Sequence, residues 1–425
     1  MAHINHYRNI IHFNRYTIQE AIQQEYSNIS FGAFEGTKQQ RNMIGLYQIS
    51  RCIGNKAIIL IHNDPEFEAN LSQLFSIHQT LSNNNSNFRM YLANQHGSKD
   101  SYYDPLYGLS SEDILDAIAP VPKDSRTLLE IQALRSILAD YLEIIQYRFA
   151  KDKTMFGEYP FNLDLLYELT KMSYSELKQR VLAYLPSTSF DSIAHRLSAA
   201  EAQQKAYNAV RTFALNLNKC LWTNKGFLNH SKLSIVSAIE SRSLISIYVP
   251  GSRKEILDYL AVELKAMNDR SRPYLLLVSG IAVSESDEFK KLFLNEHKSL
   301  AYSTGVLSEN LSGIISMGNN SDLSNTELSS FFSQTQDLFV FSCSSALSAV
   351  PFSNGIGNYY RQVSEQHDDT HREPFHIFSA HGTGVTQREV QQAIINPEEL
   401  TNLGDGCLIY GSNHPVPILV DHFIF

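Results

Sequence analysis

The N-terminal part of the chain alternates short apolar runs with amphipathic stretches. The runs have the length of strands, and the stretches repeat apolar residues every three to four positions, as helices do. In order, they predict a strand over Ser27 to Phe31, a helix over Gln39 to Gly54, a strand over Lys56 to His62, a helix over Glu66 to Ser82 and a strand over Phe88 to Asn94. Strands that alternate with helices through short links predict an α/β domain built on a parallel sheet.

The pattern changes after the turn Pro105 to Gly108. From Ser111 to about Asn218 no stretch resembles a strand, and the apolar residues keep a helical spacing. The predicted helices are Leu128 to Phe149, Leu163 to Met172, Ser175 to Leu185 and Ser192 to Leu217. A run of about a hundred helical residues is long enough to form a domain of its own.

Strand-like runs return after this helical region and continue to the C-terminus. The predicted strands are Ser243 to Val249, Tyr274 to Val278, Gly313 to Met317, Leu338 to Phe341, Cys407 to Tyr410 and Val416 to Val420, with helices over Glu255 to Asn268 and Asp287 to His297. We therefore predict an N-terminal extension over residues 1–26, the first half of an α/β domain over 27–110, an inserted all-α domain over 111–230 and the second half of the α/β domain over 231–425.

The composition of the chain argues against several classes of protein. The formal charge is −9 and no stretch concentrates Lys and Arg, which argues against a nucleic-acid-binding surface. The cysteines are far apart and have no C-x-x-C spacing, so they predict reduced residues rather than a disulfide or zinc framework: Cys52, Cys220, Cys343 and Cys407. The sequence has neither an apolar run of about 18 residues nor a secretory signal pattern, and we predict a cytoplasmic protein.

The first candidate site follows the first predicted strand. A phosphate-binding loop has the pattern G-x-x-x-x-G-K-[ST]. With Gly32 at the first position, Lys38 falls on the lysine, but Thr37 replaces the second glycine and Gln39 replaces the magnesium-binding hydroxyl, with Gly36 just before them. Thr37 carries a Cβ where the backbone approaches phosphate closely, and the amide of Gln39 is a poor magnesium ligand. The sequence therefore predicts a degenerate phosphate loop, and Glu35 adds a negative charge to it.

The second candidate site follows the buried strand that begins at Tyr274. In nucleotide hydrolases the equivalent strand ends in an Asp that holds magnesium, often followed by a Glu that polarises water. Ser279 and Gly280 occupy these two places. The sequence therefore lacks both groups that supply most of the catalysis in phosphoryl transfer.

In chain order, several motifs resemble those of the coupling ATPases of conjugation and type IV secretion, including the type IVB (Dot/Icm-like) branch. The motifs are Ile61 to Glu66, like a strand followed by a D-x-K-G-D turn; Tyr103 to Gly108, like an N-P-L turn before the helical domain; Gly313 to Asn320, like the strand that ends in a nucleotide-sensing Gln; Asn396 to Gly406, like a closing D-P-E-E-L segment; and His414 to Ile418, like the final strand. The resemblance covers about residues 27–425.

This resemblance implies a RecA-like, P-loop NTPase-type fold with an inserted all-α domain. It places Ser279 and Gly280 at the Walker-B acids and Asn319 at the sensing glutamine. The N-terminal membrane helices of the family have no counterpart in this sequence. Because the loop, the acid pair and the sensor are all altered, catalysis and motor function are in doubt, whereas the fold is not.

We therefore predict a pseudo-ATPase with no catalytic residues, no metal and no cofactor. It would be a structural or adaptor subunit of a type IV secretion or conjugation coupling complex. Its expected partners are protein subunits, including an active homologous ATPase, and it would reach the inner membrane only through them. The alternative is an active ATPase with an unconventional loop, which would bind ATP through Lys38, take an acid from Asp64, Asp287 or Glu288, and drive the transfer of DNA or protein.

Two further groups of residues could carry chemistry, but simpler structural explanations account for them. His367, His371, His376 and His381 lie near acidic residues, but Pro374 interrupts the helix that a zinc-binding spacing needs. The segments Ser342 to Ser345 and Ala380 to Gly384 hold a candidate nucleophile and base but lack the G-x-S-x-G context. We expect loop histidines and a buried thiol at Cys343.

Overall fold

The computed structural model describes residues 2–5, 9–22, 31–81, 88–93, 103–104, 106–119, 233–252, 254–268, 273–292, 302–309, 311, 335–343, 346–370 and 381–425, with single positions between 131 and 211. The chain divides into two compact units. The first unit comprises Met1–Gln23, Gly32–Thr37 and Asn310–Phe425, and the second comprises Gln24–Phe31 and Lys38–Glu309.

The described strands are β1 (Ala2–Asn5), β2 (Ile10–Thr17), β3 (Phe31–Glu35), β4 (Ala57–His62), β5 (Met90–Ala93), β6 (Leu244–Tyr248), β7 (Tyr274–Ser279), β8 (Tyr302–Ser308), β9 (Asp337–Val340), β10 (Asn358–Thr370), β11 (His381–Ala393), β12 (Cys407–Gly411) and β13 (His414–Ile424). The described helices are α1 (Ile18–Ala21), α2 (Lys38–Cys52), α3 (Pro65–Leu81), α4 (Ser111–Ile118), α5 (Ile235–Glu240), α6 (Lys254–Asn268), α7 (Asp287–Lys291), α8 (Ala346–Ile356) and α9 (Pro397–Thr401).

The second unit is a parallel α/β sheet. Its strands lie in the order β8-β7-β4-β6-β5, and every neighbouring pair is parallel. Each residue of the central strands β4 and β7 is buried, as expected for a sheet with both faces covered. His62, Ser279 and Leu307 are in register at the carboxyl ends of β4, β7 and β8. The predicted α/β fold class with a largely parallel sheet is confirmed.

Local signals explain where the helices beside this edge begin and end. The carboxylate of Asp64 accepts a hydrogen bond from the backbone N–H of Glu66, and Pro65 is the first residue of α3, which is the usual N-terminal arrangement. Helix α2 ends at Cys52, and Gly54 follows it with φ of +85°, a left-handed conformation that favours glycine.

The chain segment between Leu106 and Leu233 has its two ends side by side within the second unit. The backbone N–H of Asp104 donates to the carbonyl of Leu233 over 2.9 Å. Most of this segment, including the predicted helices, lies outside the described residues. Of the single positions described between 131 and 211, most are helical and none is in a strand. Adjacent ends are what an inserted domain requires.

The first unit contains a mixed sheet and a separate hairpin. The order within the sheet is β1-β2-β13-β12-β9-β3, with parallel pairs β2–β13 and β3–β9. The predicted C-terminal strands are both present, as β12 and β13, with the turn at Ser412 and Asn413 between them. Strands β10 and β11 form a two-stranded sheet of their own.

Some elements differ from the sequence-based expectation. The first strand extends to Glu35 instead of ending at Phe31. Strands β2 and β8 and the hairpin β10–β11 were not predicted, because their sequences are rich in polar residues and lack a compact apolar run. The predicted strand Gly313 to Met317 lies outside the described residues. Among the helices that the structure describes, none has both the length and the apolar character to cross a membrane.

Candidate functional site

The connection between β3 and α2 is short. Gly32 lies inside β3, in register with Asp337 of β9, and only Gly36 and Thr37 separate this strand from Lys38, the first residue of α2. A phosphate-binding loop uses several consecutive residues whose backbone N–H groups point at the phosphates. A two-residue link cannot form such a cradle. Gln39 is an exposed residue of the first turn of α2.

In the second unit, the ammonium of Lys38 is bound by two carboxylates of its own chain. Lys38 Nζ lies 2.9 Å from Asp64 Oδ1 and 3.1 Å from Glu66 Oε2. Hydrogen bonds with these carboxylates raise the pKa of Lys38 above its ordinary value. Asp64 is buried, whereas Lys38 and Glu66 are exposed. The lysine that would contact phosphate is therefore already neutralised.

Asp64 is the centre of a polar network. Its Oδ2 accepts a hydrogen bond from Asn42 Nδ2 over 2.8 Å, and its Oδ1 accepts one from the N–H of Glu66 over 2.9 Å. Burial alone would raise the pKa of Asp64, but the bonds from Asn42, Lys38 and Glu66 together hold it below its ordinary value. Asp64 is therefore a carboxylate at neutral pH.

A buried histidine supports the backbone of Asp64. His62 Nδ1 lies 2.9 Å from the carbonyl oxygen of Asp64, and His62 Nε2 lies 2.9 Å from Ser246 Oγ. Burial lowers the pKa of His62 to about 4, against the opposing effect of Asp64. The imidazole is neutral at pH 7, so it adds no cation to the site.

The positions expected to carry the Walker-B acids contain no carboxylate. Ser279 ends β7 and is fully buried, and its hydroxyl has no hydrogen-bond partner among the residues that the structure describes. Gly280 has φ of +68°, and a Cβ added there would lie 2.3 Å from both Arg41 Nη1 and Asn63 Oδ1. Asn63 Nδ2 donates to the carbonyl of Gly280. The space beside residue 280 is therefore filled by a guanidinium and an amide.

Arg41 and Glu309 are site residues that the sequence did not reveal. Arg41 lies in the first turns of α2, and its side chain is 7% exposed. One of its nitrogens, Nη2, lies 3.4 Å from Oε1 of Glu309, an exposed residue that follows β8 directly. Arg41 is three residues after Lys38 and shares its helix face, a signal that was available in the sequence. Glu309 could not be found, because β8 itself was not predicted.

The predicted sensor residue, Asn319, lies outside the described residues. In the second unit β7 lies between β4 and β8, and the first residue after β8 is Glu309. The structure thus brings together Lys38, Arg41, Asn42, Asp64 and Gly280 at the carboxyl edge of this sheet.

In the first unit, Glu35 is buried among partners of that unit. Its Oε2 accepts a hydrogen bond from the N–H of Leu311 over 2.9 Å, and the thiol of Cys343 donates to the same carboxyl group. Burial raises the pKa of Glu35 to about 7, against the bonds from Leu311 and the Cys343 thiol. Burial and the neighbouring Glu35 also raise the pKa of Cys343, so this cysteine is a thiol rather than a reactive thiolate.

The histidines considered as zinc ligands are not in a helix where the structure describes them. His367 belongs to β10 and His381 to β11, and His371 and His376 lie outside the described residues. Within the described part of the chain, no group of three His, Cys, Asp or Glu residues is arranged to hold a metal ion. Ser342 Oγ donates to the carbonyl of Thr401 over 3.0 Å.

The sequence matches no protein-family model, and no curated protein matches it significantly. Solved structures that resemble the chain include the bacterial conjugative coupling protein TrwB in an unbound form, at 12% identity and a TM-score of 0.46 over 87% of this chain and 85% of that one. TrwB in complex with the non-hydrolysable GTP analogue GDPNP gives 13% identity and a TM-score of 0.44 over 85% and 84%. VirB4 of Thermoanaerobacter pseudethanolicus gives 10% identity and a TM-score of 0.42 over 78% and 81%. Similarity at this level identifies no family for the chain.

Proposed function

We propose that this protein is a binding subunit of the coupling-ATPase type that does not catalyse phosphoryl transfer. The observation that carries the proposal is the state of Lys38, whose ammonium is held between Asp64 and Glu66. A phosphate would have to displace two carboxylates, one of them buried and ionised. The two-residue link before Lys38 offers no row of backbone N–H groups to compensate.

The carboxyl end of β7 supports the same proposal. Phosphoryl transfer needs a carboxylate that holds Mg²⁺ and a group that orients the nucleophile. Ser279 supplies a neutral hydroxyl, and the space beside Gly280 is occupied by Arg41 and Asn63. A guanidinium at this place would repel Mg²⁺.

We propose that the protein acts by binding partner proteins. The order of motifs along the sequence resembles the coupling ATPases of conjugation and type IV secretion, and on that basis we propose protein subunits of such a complex as partners. The segment between Leu106 and Leu233, whose two ends are joined by the bond between Asp104 and Leu233, is the part of the chain that we propose presents the binding surface. Association with a membrane would then be indirect, through these partners.

One observation favours the alternative of an active ATPase. Asp64 is an ionised acid at the carboxyl end of β4, next to β7, and it already touches Lys38. The other candidate acids are less suitable. Glu288 is held by Lys265 over 2.7 Å and also by Lys291, while Asp287 is an exposed residue at the start of α7.

Thermal unfolding with and without ATP and Mg²⁺, together with a phosphate-release assay, tests the proposal. A ligand at about 100 times its Kd adds about 2.7 kcal/mol of stability, which is a shift of several degrees. We expect no release of phosphate. Release above the background of a Lys38→Ala control would overturn the proposal, and its loss in Asp64→Asn would identify the acid of the alternative mechanism.

A separate binding measurement tests the proposal that the protein binds partner subunits. We expect the purified protein to bind a subunit of a secretion or conjugation complex with the same affinity in wild type and in Lys38→Ala. Deletion of residues 106–232 should abolish this binding, provided that circular dichroism shows the α/β units intact. Binding that survives the deletion would contradict the role given to this segment.

A further inference from the structure

Glu263, in α6 of the second unit, is a fully buried carboxyl group that is bound only by neutral donors among the described residues. Its Oε1 accepts hydrogen bonds from the backbone N–H groups of Ile235, over 2.6 Å, and Val236, over 3.4 Å. Its Oε2 accepts one from the hydroxyl of Tyr103, which is itself fully buried. Side chains of this kind are rarely buried without a counter-charge, so this carboxyl group needs a specific explanation.

The three donors come from the two ends of one chain segment. Tyr103 precedes the segment that departs at Leu106, and Ile235 and Val236 follow its return at Leu233. We call Tyr103–Asp104 and Leu233–Val236 together the insertion root. Its two chains are also joined directly by the backbone bond from Asp104 N–H to the Leu233 carbonyl, 2.9 Å long. One carboxyl group therefore binds both chains of the root.

The root is well defined on each side of this carboxyl group. Asp104 Oδ1 accepts a hydrogen bond from the N–H of Leu106 over 3.0 Å, which fixes the outgoing turn. Ser234 caps α5 through the N–H of Ser237, over 3.0 Å, which fixes the incoming chain. Asp104 and Ser234 are both fully buried. These bonds hold each chain of the root in one conformation, in addition to the bonds that Glu263 makes.

The charge state of Glu263 agrees with this arrangement. Burial raises the pKa of Glu263 well above its ordinary range, and the negative charge of Asp104 adds to this effect, against the hydrogen bonds that favour the charged form. A neutral acid at this place behaves as a hydrogen-bonding group of fixed shape and avoids the cost of a buried charge.

We propose that Glu263 is the positioning residue that fastens the insertion root to α6 and so fixes the direction in which the chain departs at Leu106 and returns at Leu233. Without it, Ile235, Val236 and Tyr103 would each lose a partner, and the two chains of the root would no longer share one acceptor. The pairing of the sheet strands β4 and β7 with their neighbours does not involve these groups. Loss of Glu263 therefore loosens the root before it unfolds the sheet.

Hydrogen–deuterium exchange of the full-length protein tests this inference. In Glu263→Ala we expect the amides of Ile235 and Val236 to exchange at least tenfold faster, while those of β4 and β7 keep their wild-type rates. Trypsin should also cleave within residues 106–232 faster than in wild type. In Glu263→Gln we expect exchange within about twofold of wild type, because the amide retains the carbonyl oxygen for Ile235 and Val236 and an NH₂ group for the Tyr103 hydroxyl.

Two further variants keep the test decisive if Glu263→Ala fails to fold. Tyr103→Phe removes only one donor and should accelerate exchange at the root by a smaller factor. Tyr259→Phe removes a hydroxyl from an equally buried tyrosine of the same helix and should leave the root unchanged. Uniform acceleration that includes the sheet would reduce Glu263 to a general core residue. Equal exchange in the Gln and Ala variants, or no effect of Tyr103→Phe, would also overturn the proposal.

Discussion

Asp64 and Glu263 are both buried acids of the second unit, yet their surroundings shift them in opposite directions. Asp64 contacts the ammonium of Lys38 at 2.9 Å, and its pKa is held below the ordinary value. Glu263 has hydrogen-bond donors but no cation among the described residues, and its pKa is raised. Both accept hydrogen bonds from backbone N–H groups near a helix start, so these bonds alone do not decide the charge state. The side-chain bonds from Asn42 and Lys38 to Asp64, and the complete burial of Glu263, decide it.

The different surroundings of Asp64 and Glu263 suit different roles. The edge of the sheet around Asp64 is an ionic cluster that is partly open to solvent, which is the type of place where a ligand or partner can exchange for an internal contact. The insertion root around Glu263 is closed to solvent, which suits a fixed joint. The predictions below test this distinction, from the largest expected effect to the smallest.

The largest effect is expected when Glu263, the buried acid that binds the insertion root, is replaced. Glu263→Ala leaves the N–H groups of Ile235 and Val236 and the hydroxyl of Tyr103 without this acceptor. Unsatisfied buried donors cost about 1–3 kcal/mol each when no water reaches them, so we expect the free energy of unfolding to fall by about 3–5 kcal/mol. Urea denaturation measures it. A loss below about 1 kcal/mol would mean that water enters the root and that the joint is open.

Glu35 gives a third case, a buried acid in the first unit with pKa raised to about 7. A folded-state pKa above the unfolded value means that the native state binds more protons, so stability is greatest below about pH 4.5 and falls as pH rises towards 7. Glu35→Gln should remove this dependence and be more stable than wild type at pH 8 by up to about 3 kcal/mol. Unfolding midpoints of wild type and Glu35→Gln, measured from pH 5 to pH 8, test this expectation. Parallel pH curves for the two proteins would contradict it.

The stability that Asp64 contributes to the ionic cluster should depend on pH in the opposite direction from that of Glu35. Because the pKa of Asp64 is lowered, its contribution to stability is present above about pH 4, the ordinary value, and is lost as pH falls through the folded-state pKa. Asp64→Asn keeps a cap for α3 but loses the charge opposite Lys38, so we expect about 1 kcal/mol less stability at pH 7. The difference between the two proteins should shrink on acidification. A difference that grows at low pH would show that the hydrogen bonds, rather than the cation, set the role of Asp64.

The smallest effect is expected at the exposed member of the cluster. Glu66 is 67% exposed, and solvent and salt screen its pair with Lys38. Glu66→Gln should change the free energy of unfolding by no more than about 0.5 kcal/mol. Thermal unfolding in low and high salt measures this, with the exposed Glu112 of α4 as the matched control. A loss above 1 kcal/mol would mean that Glu66 is far less solvated than its exposure indicates.

The sequence was informative where a segment carried its own pattern. Helices α2, α3 and α6 and strands β4, β6 and β7 were predicted to within one or two residues, because helical spacing, compact apolar runs and end signals such as Gly54 and Pro65 are local. The polar strand β8 and the long hairpin β10–β11 were missed, because strands without an apolar run have no comparable local signal.

The candidate site was predictable only in outline. The sequence identified Lys38 and the absence of acids at Ser279 and Gly280, since these follow from a motif with fixed spacing. It could not show that Gly32 lies within a strand, that Arg41 fills the space beside Gly280, or that Glu309 follows the strand next to β7. These facts depend on which strands become neighbours.

The sequence by itself determined the α/β class, the order of the main elements and the types of side chain available for chemistry. Tertiary structure alone decided which of these side chains carry charge and what they contact. Asp64 and Glu263 show the physical reason: a carboxyl group is the same in any sequence, but its proton affinity depends on burial and on cations that residues distant in the chain bring to it.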